Sequence, residues 1–289
     1  MTTEQISSLI IDLNRFGVEM ITFSGGEPLI RNDIFLLSKK VIELGMQPAI
    51  ISNGFLINDS VAKKMSNIFS FIAISMDGAT AGTHDFIRGV PGSFERAVNA
   101  IKLLKKHGGN VRINYTIQPD NYKEMAEALK LAELLDVKIF YQFAETSGLG
   151  NYPDPNLQSF DLESLKHEVS RLCKSKSVLT SREYFKLALN RLSGHSQPFK
   201  CFAPHQSMLI GCDGTYYPCA ALDIALGNVK ERPIINTFYS QDFIRLRKLI
   251  RENKIKKCLT CIQACEVETT LDTSLLHNIR EWRRFLGPK

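Results

Sequence analysis

Apolar residues recur along the chain in two different periods. Over Thr3–Phe16, Ile6, Leu9, Ile10, Leu13 and Phe16 fall on one stripe of a helix, which Gly17 ends. Short β-branched or alternating runs follow at Met20–Phe23, Gln47–Ser52, 69–75, Val111–Ile117 and Lys138–Phe143, each predicting a strand. Helical patterns fill the gaps, notably at 34–44, 94–107 and 122–135. Strands alternating with helices predict the α/β class, a parallel sheet with helices outside it. The chain opens on a helix, with no strand before Met20. A (β/α) barrel begins with a strand and a loop, whereas a doubly wound sheet tolerates a leading helix.

From 145 to 155 the periodicity dissolves around Gly148, Gly150, Pro153 and Pro155, which predicts a long loop, either a substrate lid or a link. Asp161 caps a helix carrying Leu162, Leu165, Val169, Leu172 and Cys173 on one side, so Cys173 is read as a buried core thiol. A further helix, Arg182–Leu192, leads into a cysteine-rich segment at about His195. The expected domains are therefore 1–194 and 195–289. The final helical pattern, 275–286, sets Leu276, Ile279, Trp282 and Phe285 against Arg280, Arg283 and Arg284, a face suited to packing on the main domain.

Composition narrows the function classes. At 44% hydrophobic and 23% charged over 289 residues, this is an ordinary globular chain. No apolar run approaches a membrane span and the N-terminus lacks a signal-peptide pattern, so a cytoplasmic location and no membrane partner are expected. The formal charge of +6 is mild and spread along the chain, the mark of a solvated basic face rather than of a nucleic-acid surface. Cysteine usage is more telling: six of the seven lie between Cys201 and Cys265. Thiols crowded into one region of a cytosolic chain point to metal binding rather than disulfides.

Three strand ends carry polar signatures. Met20–Phe23 runs into Ser24, Gly25, Gly26, Glu27 and Pro28, where two glycines allow a sharp turn and close approach of a ligand. Glu27 is thereby presented beyond a strand's C-terminal end, the edge at which α/β barrels place their active sites. The next strand ends in Ser52-Asn53-Gly54, and the one after in Ser75-Met76-Asp77-Gly78, followed by His84-Asp85 and Arg88-Gly89. Taken singly, each is an ordinary turn or cap signal, and His84 and Asp85 are assigned no chemistry. Downstream, Cys201 precedes two apolar arms around Asp213-Gly214, read as a β-hairpin that brings Cys219 back toward Cys201. Cys258 and Cys261 form a C-x-x-C knuckle. Four thiolates suit either a structural zinc ion or a [4Fe–4S] cluster, and spacing alone does not separate the two.

Together these motifs resemble, in order and spacing, the radical S-adenosylmethionine (SAM) enzymes with C-terminal SPASM or twitch domains. The resemblance implies a partial (β/α) TIM-type barrel missing its first strand, followed by a small auxiliary iron–sulfur domain. It implies that Ser24, Gly25, Gly26, Glu27 and Pro28 hold the amino group of SAM, that Ser75 and Arg88 hold its carboxylate, and that Ser52 and Asn53 lie near its adenosyl half, with Asp77 as a neighbour. An arginine suits a carboxylate because its planar fork bonds both oxygens. The resemblance further implies one auxiliary [4Fe–4S] cluster on Cys201, Cys219, Cys258 and Cys261; Cys212 and Cys265 are left over, and either can replace one of the four. The activity implied is an oxidoreductase-type modification of a peptide or small biosynthetic intermediate through a 5′-deoxyadenosyl radical, with a flavodoxin- or ferredoxin-type electron donor.

One family element is missing. Enzymes of this kind hold their reducing cluster on a C-x-x-x-C-x-x-C loop after the first strand, and no cysteine precedes Cys173. The chain is therefore expected to be an incomplete, by itself inactive, reading of a working enzyme, with a strand and a three-cysteine loop encoded upstream. Two other readings stay open: a degenerate, non-catalytic Fe–S protein for binding or electron transfer, and a zinc-stabilised α/β protein.

Overall fold

The computed structural model describes residues 1–144, 160–195 and 199–272. The loop expected over 145–155 and the helix expected over 275–286 lie outside the described residues.

Helix α1 (Thr3–Phe16) starts on a capping box, in which Thr2 Oγ1 accepts from the Gln5 amide while Gln5 accepts from the Thr2 amide, and it ends at Gly17 with φ +89°. The chain then alternates: β1 (Met20–Phe23), α2 (Ile34–Glu43), β2 (Gln47–Ser52), α3 (Asp59–Ile68), β3 (Phe71–Ser75), α4 (Ala81–Arg88), α5 (Ser93–Lys106), β4 (Val111–Ile117), α6 (Met125–Leu134) and β5 (Lys138–Phe143). All neighbouring strands are parallel, in the sequential order β1-β2-β3-β4-β5. The expected α/β partial barrel is thus the observed fold, with β1 at an edge: it pairs with β2 alone among the described strands, and its residues alternate between exposed and half-buried.

Two of the expected boundaries move by more than one residue. Residue 69 does not begin β3, because the Phe69 amide closes α3 by donating to Met65 O at 2.9 Å. The helix expected at 122 opens with a 3₁₀ turn, Tyr122–Glu124, before α6.

Strand alternation sorts side chains onto two faces. Ile72 and Ile74 of β3, Ile113, Tyr115 and Ile117 of β4, and Ile139, Tyr141 and Phe143 of β5 are buried in one core with Ala97, Ala100, Ile101 and Leu104 of α5 and Met125, Ala128 and Ala132 of α6. The alternate residues, among them Ala73, Ser75, Arg112, Asn114, Thr116 and Gln142, face the other way.

Beyond the sheet, α7 (Leu162–Leu172) is capped by Asp161 as expected, and α8 (Arg182–Leu192) follows. Cys173 is half-buried, not buried; it closes α7, where its carbonyl accepts from Arg182 and main-chain helix bonds end. The C-terminal segment holds α9 (Ala203–Gln206), the hairpin β6 (Leu209–Ile210) and β7 (Tyr216–Tyr217), α10 (Ile234–Phe238), α11 (Gln241–Arg251), α12 (Lys256–Thr260) and α13 (Ala264–Asp272). It grips the sheet domain at two places. Leu9 and Leu13 of α1 pack with Tyr216 and Ile234, and the Phe16 and Phe238 rings stand 4.8 Å apart. At the far side, Ile262, Ala264 and Val267 join the main core, while Tyr184 Oη donates to Ile262 O at 2.9 Å and accepts from the Phe143 amide at 3.0 Å. No helix among the described residues is long and apolar enough to cross a membrane.

Candidate functional site

Glu27 ties together the C-terminal ends of the first two strands. Gly25 sits at φ +132°, a conformation open to glycine, and nothing lies within 4 Å of where a Cβ would stand at Gly25 or Gly26. The Ser24-Gly25-Gly26 backbone is consequently exposed, while Pro28 is buried and starts a 3₁₀ turn capped by Glu27. Glu27 Oε1 accepts from the Leu29 amide at 3.1 Å and from Ser52 Oγ at 3.0 Å; Oε2 accepts from the Asn53 amide at 2.8 Å. A carboxylate offers roughly four acceptor positions, so these three bonds hold Glu27 in place and leave capacity on Oε2 for an incoming donor. Ser52 is buried and its Oγ also accepts from the Gly54 amide at 3.0 Å, while the Asn53 side chain accepts from the Phe55 amide at 2.9 Å. Glu27, Ser52 and Asn53 therefore form one cluster.

A second cluster is built at the end of β3. Asp77 is 5% exposed. Its Oδ2 stands 2.6 Å from Arg88 Nη2, and its Oδ1 accepts from the Thr116 amide at 2.9 Å. The Asp77 amide donates to His84 Nδ1 at 3.0 Å, and its carbonyl accepts from Asn121 Nδ2 at 2.9 Å. Burial first, then the Arg88 charge, holds the His84 pKa below the ordinary histidine value, so its neutral ring serves as an acceptor. Asp85 takes the amides of Gly92 and Phe94 and the Ser93 hydroxyl, which anchors the start of α5. Both residues thus have structural partners. Arg88 keeps further guanidinium donors beyond the one on Asp77, and Ser75 lies half-buried beside Asn114 in register.

The third cluster is sulfur-rich. Cys201 before α9, Cys219 after β7, Cys258 in α12 and Cys261 at its end line a single cavity with about 430 Å³ of empty space, part of it open to solvent. Arg191, Lys257 and Glu266 share its wall. The thiols border this space without meeting at a point: among the described residues no three His, Cys, Asp or Glu side chains are arranged to hold a single metal ion. Burial, and then the Glu266 carboxylate, push the Cys219 thiol up to about 12. Burial and then Cys201 push Cys258 up to about 11, against the opposing charges of Arg191 and Lys257. Burial also raises Cys201. Buried thiols of this kind need a positive centre to become thiolates. Cys212 is exposed at the hairpin, where its carbonyl accepts from the Met1 ammonium at 2.9 Å, and Cys265 is exposed on α13; neither lines the cavity.

Thr116, whose amide fixes Asp77, and Glu124, which accepts from the Ala79 amide at 2.9 Å and from the Thr83 hydroxyl, escape a sequence reading. Backbone donors leave no signal in residue type. The polar alternation Arg112, Asn114, Thr116 inside an otherwise apolar strand is the one sign in the sequence that this face differs from the helical core.

Two family models match the chain: the radical SAM superfamily over residues 1–132 and an iron–sulfur cluster-binding domain over residues 201–262. The chain is similar to an AdoMet-dependent heme synthase of Methanosarcina barkeri (strain Fusaro / DSM 804), 26% identical over 280 residues, covering 90% of this chain and 79% of that protein. It is similar to the Fe-coproporphyrin III synthase of the same organism, 35% identical over 134 residues, covering 46% of this chain and only 33% of that one. Among solved structures it shares its fold with Streptococcus suis SuiB. The SAM-bound form superposes with a TM-score of 0.68 at 19% identity, covering 92% of this chain and 65% of SuiB. The form bound to precursor peptide SuiA gives a TM-score of 0.66 at 19% identity, with 92% and 64% coverage.

Proposed function

The chain belongs to the radical SAM superfamily and carries a C-terminal iron–sulfur cluster-binding domain, and we propose that it supplies the SAM pocket and one auxiliary [4Fe–4S] site of an enzyme that modifies a peptide or a small biosynthetic intermediate. The observation that carries this reading is the convergence of Cys201, Cys219, Cys258 and Cys261, from separate segments, on one cavity. Four thiols with Arg191 and Lys257 beside them fit a cluster whose thiolates need compensating charge. When bound there, the cluster supplies a site for substrate or for an electron.

At the sheet edge, the acceptor capacity left on Glu27 takes the amino group of SAM, and Arg88, set by Asp77, takes its carboxylate together with Ser75. Ser52 and Asn53 border the adenosyl half. Ser24, Gly25, Gly26 and Pro28 shape the turn that brings the backbone to the ligand. The division at 194/195 separates these two functions. Relatives named for heme and Fe-coproporphyrin III synthesis support the small intermediate, and the peptide-bound SuiB supports the peptide. A flavodoxin- or ferredoxin-type protein is the proposed electron source.

Anaerobic reconstitution tests the reading. The chain takes up one four-iron cluster, Cys201→Ala, Cys219→Ala, Cys258→Ala and Cys261→Ala each impair it, and Cys173→Ala does not. Stoichiometric zinc without iron or sulfide refutes the cluster assignment. No cysteine precedes Cys173 in these 289 residues, so the same preparation with dithionite and SAM releases no 5′-deoxyadenosine; release shows that the radical-generating cluster is misplaced.

A further inference from the structure

Arg112 and Asn114 stand on the face of β4 turned away from the helical core, and the cofactor reading uses neither. The Arg112 guanidinium lies 4.3 Å from the centre of the Phe71 ring and 5.3 Å from that of Phe140. Its Nε is buried with no hydrogen-bond partner, and none of the ion pairs among the described residues involves it. The register places Lys138 beside it, a second positive charge rather than a counter-ion. Two residues on, Asn114 is 7% exposed and its Oδ1 is buried without a partner. A half-buried cation and a buried amide oxygen, both unsatisfied, cost stability unless something pairs them.

Depth distinguishes Arg112 from the SAM pocket, whereas Asn114 stands level with Ser75 in the register. Arg112 pairs in register with Ala73, two residues below Ser75, which is about 7 Å further down the strand at roughly 3.3 Å per residue. Arg88, at the rim, already has Asp77; Arg112 has aromatic rings, whose faces attract a cation without neutralising it, and the Cys265 thiol near enough to act on it, but no carboxylate among the described residues. The planar fork of a guanidinium fits a carboxylate through two parallel bonds, and two phenyl rings beside it provide apolar walls.

We propose that Arg112 anchors a carboxylate of the substrate, and that Asn114 Oδ1 accepts an N–H or O–H of the same molecule. This rests on the reading of the chain as a SAM-dependent modifying enzyme and narrows its substrate to a largely apolar compound that carries a carboxylate. A carboxylate can come from the substrate or from SAM, and the test separates the two.

The full chain, with its auxiliary cluster reconstituted, is titrated anaerobically with coproporphyrin III and with its tetramethyl ester, which keeps the ring and lacks the charge. The acid binds and the ester binds roughly tenfold or more weakly, as loss of a charge-assisted pair requires. Arg112→Gln weakens the acid by a similar factor and Arg112→Lys by less. The comparison of acid with ester needs no variant, so it decides even where Arg112→Gln fails to fold. Excess SAM leaves the acid bound; displacement by SAM makes SAM's carboxylate the occupant and overturns the proposal. Equal binding of acid and ester, no binding of the acid, or acid binding indifferent to Arg112→Gln in a folded variant also overturns it. Iron and sulfide content of the same sample judges the cofactor reading separately: a loaded cluster with failed acid binding refutes the anchor alone, and an empty one refutes the reading beneath it.

Discussion

Replacing Asp77 separates two bonds that its carboxylate makes at once. Oδ1 accepts the Thr116 amide at 2.9 Å and Oδ2 pairs with Arg88 at 2.6 Å, in a residue only 5% exposed. Asp77→Ala orphans the part-buried Thr116 N–H, which costs about 1–3 kcal/mol on the scale of an unpaired buried donor. The Arg88 side chain is 33% exposed, so water recovers most of its solvation, and the lost ion pair adds less than about 1 kcal/mol. The sum is about 1–4 kcal/mol. Asp77→Asn retains a carbonyl oxygen for Thr116 and loses only the charge, at a cost of about 1 kcal/mol on the same scale. Urea unfolding, with midpoints compared at unchanged slope, reads both. The expected order is wild type, then Asp77→Asn, then Asp77→Ala. Equal losses in the two variants, or Asp77→Ala within about 0.5 kcal/mol of wild type, as for an ordinary surface change, would show that Asp77 does not organise this strand end.

The neighbouring turn gives two more expectations. A Cβ at Gly78 would stand 2.5 Å from the His84 backbone nitrogen and 3.0 Å from its Cα, so Gly78→Ala destabilises by about 1–3 kcal/mol through overpacking; a melting temperature equal to wild type contradicts it. His84 has a folded-state pKa lowered from 6.5, by burial first and Arg88 second. Below pH 6.5 the unfolded chain takes up a proton that the folded one refuses, so stability present above 6.5 is lost as pH falls toward the folded value. His84→Gln flattens that part of the unfolding profile, and parallel profiles for the two proteins refute the assignment.

Local signals carried much of the fold. The strand runs at Gln47–Ser52, Val111–Ile117 and Lys138–Phe143 and the helices Thr3–Phe16 and Arg182–Leu192 appear with the bounds their periodicity predicts; the two helices do so because each has side-chain caps at its start and a glycine at or just past its end. Phe69 misleads because a large apolar residue closing a helix looks the same in sequence as one opening a strand. Cys173 sits on the apolar side of α7 as read, yet at its last turn, where the helix face meets solvent. Glu27 is 25 and 26 residues from Ser52 and Asn53, and only the parallel register of β1 on β2 brings it to them. Asp77 was legible as a residue but not as the holder of Arg88, since its second anchor is a backbone amide from β4.

Charge placement links the two halves of the molecule. A net charge of +6 spread along the chain looks like a solvated basic surface, and for residues such as Lys130 and Lys166, each beside a glutamate on its own helix, it is one. Three of the cations are placed otherwise. Arg191 and Lys257 line the cysteine cavity and oppose the rise of the Cys258 thiol, while Arg112 is half-buried on the face of β4 turned from the helical core. Burying cations is costly without an anion, and the ligands that the two sites are proposed to take, a thiolate-bound cluster and a carboxylate, are both anionic. Removing Arg112 should therefore weaken substrate binding without emptying the cluster site, because Arg191 and Lys257 remain there to offset the thiolates.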